Sequence, residues 1–261
     1  MTGSGEFPDT SEDAVLGGRL RLRQPLKGHR VGHDAILLAA ATAGNAGEHA
    51  VDLGAGVGGA GLALAARIDG LKVSLVEIDQ TLCSLAAHNA RLNRLEARVS
   101  ALVGDAGEPA VLDAAGLGEA SADRVLMNPP FHDAGRQNVS PDPRRRLAHV
   151  ATPGLLPRWI ACAAWLLKPH GVLTLIWRAD GEADVLAALA PWFGDAELLP
   201  VLPRPDRPAI RLLLRAVKGG PGALTRHPPL TLNDGQGRPS AAAEAVLRGG
   251  EALLTSTPGT A

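Results

Sequence analysis

Asn128-Pro129-Pro130-Phe131 follows the short apolar run Asp123-Arg-Val-Leu-Met, and the tetrapeptide combines residue types suited to one kind of chemistry. Two prolines fix φ and remove two backbone donors, which leaves carbonyls as acceptors where the strand ends. The Asn128 side-chain oxygen and the Pro129 carbonyl can together take both hydrogens of a planar –NH2 group. Phe131 can lie against the flat ring that bears it. An aromatic amine is a weak nucleophile because its lone pair is delocalised. Acceptors on its hydrogens favour the pyramidal geometry of the transition state, where that lone pair is localised.

A second constellation is His49-Ala-Val-Asp-Leu-Gly-Ala-Gly-Val-Gly-Gly-Ala-Gly61. Ala50, Val51 and Leu53 end a buried strand, the glycines make a tight turn, and Leu62-Ala-Leu-Ala-Ala-Arg67 begins the helix that follows. Gly54, Gly56 and Gly58 permit positive φ and let a ligand approach a backbone without Cβ atoms, beside the unpaired N–H groups of a helix start. Asp52 closes the strand before the first glycine. The next apolar run, Lys72-Val-Ser-Leu-Val76, ends at Glu77, about 20 residues beyond Gly58, where an acid can accept hydrogen bonds from ribose hydroxyls. Asp105, after a strand over Arg98 to Val103, falls on the same rim, either as a ligand contact or as a helix cap. A bound adenosine moiety explains these acids. Because Gly54, Gly56 and Gly59 also satisfy G-x-G-x-x-G, a nicotinamide-dependent oxidoreductase is the alternative of a different class.

The elements that must position these residues follow from hydrophobic periodicity. Leu20 and Leu22 alternate with Arg19, Arg21 and Arg23 in a half-exposed strand with one basic face. Asp34 or His33 caps a short apolar helix ending near Gly44. Helical spacing covers Gln80 to Leu95 and Pro153 to Lys168. Gly171 to Trp177 is a further strand, Gly181 to Phe193 a helix, and Glu197 to Leu202 with Ala209 to Val217 a hairpin at the sheet edge. Alternation of strand and helix predicts an α/β chain with a parallel sheet. Residues 1–14 read as a mobile leader, 15–250 as a single domain, and 251–261 as a mobile tail.

Composition bounds the rest. The chain of 261 residues is 46% hydrophobic and 20% charged, an ordinary globular balance. Lys and Arg number 26 against 27 Asp and Glu, so any basic surface for nucleic acid must be local. Cys83 and Cys162 lack C-x-x-C spacing or nearby His pairs, so they read as buried thiols and no metal site is expected. No apolar run approaches the ~18 residues of a membrane span, and no cleavable signal pattern opens the chain. A cytoplasmic monomer is expected.

These motifs together resemble class I S-adenosylmethionine-dependent methyltransferases of the N6-adenine type. Asp52-Leu-Gly-Ala-Gly-Val-Gly58 is similar to the cofactor motif of that superfamily, Glu77 to its ribose-binding acid, Asp105 to its adenine-side acid, and Asn128-Pro-Pro-Phe131 to its catalytic motif. Arg30-Val-Gly-His-Asp-Ala-Ile-Leu-Leu-Ala39 and Leu230-Thr-Leu-Asn-Asp-Gly-Gln-Gly237 resemble the flanks of bacterial tRNA1(Val) adenine-N6 methyltransferases. The resemblance implies a doubly wound, Rossmann-like, seven-stranded and mostly parallel sheet with an antiparallel edge strand. It implies S-adenosylmethionine as cofactor, held by Asp52, Gly54, Gly56, Gly58, Glu77, Asp105 and Asp34. It implies Asn128, Pro129, Pro130 and Phe131 as the catalytic residues, and an RNA substrate, with adenine N6 in a tRNA anticodon loop as the target. Asn-Pro-Pro-Phe-His also resembles 16S rRNA guanine-N2 methyltransferases. A protein glutamine-N5 methyltransferase would present the same planar –NH2. His132 beside the motif reads as a solvent-facing loop residue.

Such a target base has to be unstacked to enter the site, which favours an RNA loop over a duplex. Between Phe131 and Thr152 about 20 residues connect two elements, longer than most connections in compact domains. They carry Arg136, Arg144, Arg145 and Arg146, which are expected to reach phosphates flanking the base. Arg19, Arg21, Arg23, Lys27 and Arg30 are expected to form a second basic stretch near the same rim.

Overall fold

The computed structural model describes residue 7 and residues 9–28, 30–130 and 154–254. Five parallel strands carry the framework: β3 (His49–Leu53), β4 (Lys72–Glu77), β5 (Val99–Val103), β6 (Ala122–Met127) and β7 (Leu167–Arg178). They lie in the order β5-β4-β3-β6-β7, with β9 (Arg211–Lys218) antiparallel to β7 and β8 (Phe193–Leu202) antiparallel to β9. Two-residue strands β10 (Thr225–Arg226) and β11 (Leu230–Thr231) both run parallel to β8. The sheet thus has nine strands among the described residues, where seven were expected. The β8–β9 hairpin forms the edge region as expected. The antiparallel strand itself is β9, which lies between β7 and β8.

Helices cover both faces, as a parallel sheet requires. On one face lie α1 (His33–Ala41), α2 (Gly59–Arg67) and α3 (Gln80–Leu92), with Leu37, Leu38, Leu62, Leu64 and Ala86 packed on Ala50, Leu75 and Leu126. On the other lie α4 (Pro109–Ala114), α5 (Leu155–Leu166) and α6 (Glu182–Leu189), with Leu112, Trp159, Ile160 and Val185 against Val51, Leu53 and Met127. A short helix α7 (Ala241–Leu247), capped by Ser240, returns Val246 to the first face. The α3 helix begins where the Asp79 carboxylate accepts the N–H groups of Thr81 and Leu82. The α1 helix is not capped by Asp34 or His33, because both lie inside its first turn and Gly32 takes the cap position without a side-chain bond.

Two expectations about the chain ends are corrected. Residues Thr10–Val15, counted with the leader through Ala14, form β1, which pairs with β2 (Leu20–Pro25) in a separate antiparallel hairpin. Charges pair along the hairpin and beyond it: Glu12 pairs with Arg21 and Arg23 of β2, while Asp13 pairs with Arg30 and accepts from Gln24. The expected tail begins as ordered chain at Glu251 to Leu254. Leu253 N–H donates to the Ala40 carbonyl, Arg215 donates to the Leu254 carbonyl, and Leu254 is buried.

Candidate active site

Leu53 lies opposite Met127 in the β3–β6 register, and Leu53 is also level with Val76 of β4. The glycine turn after β3 and Asn128 after β6 therefore leave the sheet side by side. From β3 the chain winds outward through β4 and β5, and from β6 in the opposite direction through β7, so this is the crevice where doubly wound sheets bind ligands.

The turn is held from below by β4. Gly54 and Ala55 both donate to the Val76 carbonyl at 2.9 Å, Gly56 donates to Glu77 Oε2 at 2.8 Å, and Gly58 donates to the Ala55 carbonyl at 2.8 Å. Gly54, Gly56 and Gly58 all have positive φ, at 74°, 57° and 90°. Their open sides differ. A Cβ on Gly54 would come 2.4 Å from Cη2 of Trp159, and one on Gly58 would come 2.9 Å from Cδ1 of Leu62. At Gly56 nothing among the described residues lies within 4 Å. Of the three glycines expected to admit a ligand, Gly54 and Gly58 make room for the protein's own side chains, and Gly56 alone is left clear by the described residues.

The acids fall into three environments. Asp52 is 2% exposed and turned inward, with Oδ2 accepting from Gly61 N–H in the first turn of α2 at 2.8 Å. Burial raises its carboxyl to about 7, against the Gly61 hydrogen bond and assisted by the charge of Glu77. Glu77 is also buried, and burial pushes its carboxyl up. Oε2 takes Gly56 N–H and Oε1 takes Asp79 N–H at 2.9 Å, so this side chain clamps the turn to the start of α3. Asp105 is half-buried. Oδ1 takes Gly107 N–H at 2.8 Å, Arg158 lies 3.9 Å from Oδ2, and the α4 cap position belongs to Glu108. Asp34 pairs with Arg211, Nε to Oδ2 at 2.8 Å, beside the end of β7. Between Glu77 and Asp79 the apolar Ile78 is left 43% exposed, a feature the sequence does not mark, because an apolar residue after a strand resembles more strand.

At the end of β6, Pro129 is buried, and neither Pro129 nor Pro130 has an N–H to donate. Asn128 Oδ1 is buried without a hydrogen-bond partner among the described residues. An orphaned buried acceptor is rare, and this one follows the strand end that lies level with the glycine turn. Trp159 of α5 is the other unexpected feature: 8% exposed, packed under Gly54, with its indole N–H also unpartnered among the described residues. Phe131, His132, Arg136, Arg144, Arg145 and Arg146 lie outside the described residues.

The second basic stretch is partly paired: Arg21, Arg23 and Arg30 are ion-paired with Glu12 and Asp13, and Arg19 donates to the Gly249 carbonyl, so two carboxylates offset part of its positive charge. Cys83 and Cys162 are free and buried, and burial pushes the Cys162 thiol up to about 12, far from a thiolate nucleophile. Among the described residues no helix is long and apolar enough to cross a membrane, and no cluster of three His, Cys, Asp or Glu is placed to hold a metal.

The backbone at Gly56, the Glu77 carboxylate behind it, the exposed Ile78 and the Asn128 acceptor at the β6 end together suit a nucleoside-like ligand. Comparison with known proteins bears on what that ligand is. The model of the methyltransferase small domain family matches residues 30–200. A curated tRNA1(Val) (adenine(37)-N6)-methyltransferase of Porphyromonas gingivalis is 31% identical over 160 residues, 60% of this chain and 61% of that protein. The release factor glutamine methyltransferase of Chlorobaculum tepidum is 31% identical over 163 residues, 60% of this chain and 54% of that protein. The chain thus spans about three fifths or less of the length of these curated relatives. A solved Agrobacterium tumefaciens protein, described as a predicted O-methyltransferase, superimposes with TM-score 0.72 at 31% identity, covering 84% of this chain and 98% of its own. A T. thermophilus 16S rRNA N2 methyltransferase in complex with AdoMet and guanosine shares the fold, with TM-score 0.55 and 23% identity over 80% of this chain and 50% of its own.

Proposed function

This chain belongs to the methyltransferase small domain family, and on that premise we propose that it methylates the exocyclic amine of a base in RNA, with adenine N6 in a tRNA anticodon loop as the target. Its cofactor is S-adenosylmethionine, and the nicotinamide reading of the glycine pattern is set aside. The observation that carries the proposal is the buried Asn128 Oδ1 at the end of β6, level with the glycine turn and without a partner among the described residues. An acceptor at this position is suited to the hydrogens of an amine, whereas a hydroxyl or thiol nucleophile would need a base to take its proton. The curated tRNA relative supports the adenine assignment.

The residues divide the work. Gly56 gives the cofactor a backbone approach without a Cβ, Glu77 offers a carboxylate to its ribose, and Ile78 and Asp105 flank the place for its purine. When bound, the cofactor supplies an activated methyl group. Asn128 Oδ1 and the Pro129 carbonyl accept the two amine hydrogens and hold the nitrogen in line with that methyl, while Phe131 lies against the base. Alignment and these two acceptors account for the rate, since binding that strengthens as the nitrogen becomes pyramidal lowers the barrier. The amine loses its proton to water after transfer, so no residue is assigned as general base. In the same proposal Arg136, Arg144, Arg145 and Arg146 hold the flanking phosphates, and the domain that runs from β1 to Leu254 carries the activity.

A second reading rests on the same atom. A glutamine side-chain amide is also a planar –NH2, and a protein glutamine methyltransferase is similar at equal identity. Incubation with labelled S-adenosylmethionine and a cell extract, followed by ribonuclease or protease, separates the two. Label released by ribonuclease supports RNA as substrate, and label released by protease alone replaces it with protein.

A further inference from the structure

We propose that Asn89 is a positioning residue of the cofactor site, tying Val57 at the centre of the glycine turn to the N-terminal hairpin. Asn89 lies on α3 and is fully buried. Its Oδ1 accepts from Arg23 N–H at 2.7 Å, and its Nδ2 donates to the Arg23 carbonyl and to the Val57 carbonyl, each at 3.0 Å. Both amide hydrogens and the oxygen are thus engaged. A planar amide presents the same donor and acceptor as a peptide unit, so the outer edge of β2 bonds to α3 as it would to another strand. Asn93, one turn further along α3, repeats the pair: its Oδ1 accepts from Arg21 N–H at 2.9 Å and its Nδ2 donates to the Arg21 carbonyl at 2.7 Å. The spacings match, because four helical residues rise about 6 Å and two strand residues about 6.6 Å.

Only the Asn89 pair reaches the glycine turn. A second contact from the same segment reinforces it: Val31 fills the place where a Cβ of Gly59 would sit, at 2.7 Å, and Val31 N–H is held by Gln24 Oε1 of β2. The turn is therefore gripped from two sides, by Val76 and Glu77 of β4 and by Asn89 with the hairpin behind it. Gly56, the position open to a ligand, adjoins Val57. Loss of the Val57 bond frees the middle of the turn while the anchors at Gly54 and Gly56 remain, so the residue acts on cofactor binding through the loop and touches no reacting atom. The inference rests on the glycine turn being the S-adenosylmethionine site.

The test compares Asn89→Asp with Asn93→Asp in the full chain. Asn89→Asp keeps the acceptor for Arg23 and removes the donors to Val57 and Arg23, while Asn93→Asp removes the donors to the Arg21 and Asn89 carbonyls and none to the glycine turn. S-adenosylmethionine affinity is measured by calorimetry, backbone hydrogen exchange at residues 57–60 is measured without cofactor, and kcat and KM come from methyl transfer. Asn89→Asp is expected to raise Kd and KM for S-adenosylmethionine at least tenfold, leave kcat within twofold at saturation and speed exchange across 57–60. Asn93→Asp is expected to leave all four within twofold. Lowering the pH should shrink the Asn89→Asp defect relative to wild type, because a protonated carboxyl can donate to the Val57 carbonyl. If Asn89→Asp does not fold, Asn89→Ser removes the amide without adding charge and is held to the same tenfold criterion. Unchanged affinity and exchange in the Asn89 variant, or an equal loss in Asn93→Asp, would overturn the inference and leave the cofactor site standing. Failure of the wild-type protein to bind S-adenosylmethionine would overturn both.

Discussion

Trp159 occupies the space that a side chain on Gly54 would need, its Cη2 lying 2.4 Å from where that Cβ would be. The contact joins α5 on one face of the sheet to the turn that leaves β3, so the shape of the glycine turn depends on a helix far from it in sequence. Gly54→Ala is expected to cost about 2–4 kcal/mol, combining the strain of an L-residue at φ 74° with overpacking. Trp159→Phe withdraws the distal ring, and the double variant should recover more than about 0.5 kcal/mol relative to additivity. Urea unfolding of the four proteins measures this, and strictly additive costs would show that the contact does not shape the turn.

Asp52 gives a prediction in pH. Its folded-state carboxyl is raised to about 7 from an ordinary 3.8, chiefly by burial. Between those values the folded protein holds a proton that the unfolded chain has lost, so stability falls as pH rises from about 4 to about 7 and is flat with respect to this group above that. Asp52→Asn still offers an oxygen to Gly61 N–H and does not ionise, so the slope of unfolding free energy against pH over this window should flatten. An equal slope in both proteins would assign the dependence to other groups.

Glu77→Gln separates geometry from charge. Glu77 uses both oxygens, on Gly56 N–H and Asp79 N–H, and an amide has only one to give. One of these N–H groups would then face an –NH2 donor, and the ribose would lose a charged acceptor worth about 1.5–3 kcal/mol. A fall in S-adenosylmethionine affinity of tenfold or more by calorimetry is expected. Affinity within twofold of wild type would remove Glu77 from the site.

Much of this site was legible in the sequence, for local reasons. Asp52, Gly56, Glu77 and Asn128 end or follow buried parallel strands, whose apolar runs are easy to place, and one rim collects whatever ends them. What escaped was set by contacts between distant segments. Nothing local marks Trp159 as the neighbour of Gly54, or Asn89 as the partner of Arg23 and Val57. The acidic run at Glu12 and Asp13 looked like a solvated leader because its partners, Arg21, Arg23 and Arg30, are recognisable as such only once β1 and β2 are paired. The inward turn of Asp52 followed from Gly61, which leaves room beside α2 for its carboxylate.

The most direct test of the account is nucleoside mass spectrometry of tRNA incubated with S-adenosylmethionine and either the wild-type protein or Asn128→Ala. The account predicts N6-methyladenosine formed by the wild type, and loss of nearly all of it in the variant with cofactor affinity within about twofold, since Asn128 is assigned to the amine and losing a transition-state contact lowers kcat without weakening cofactor binding. Full activity in Asn128→Ala, or methyl groups appearing on ribose oxygen or in protein and none on a base amine, would contradict it.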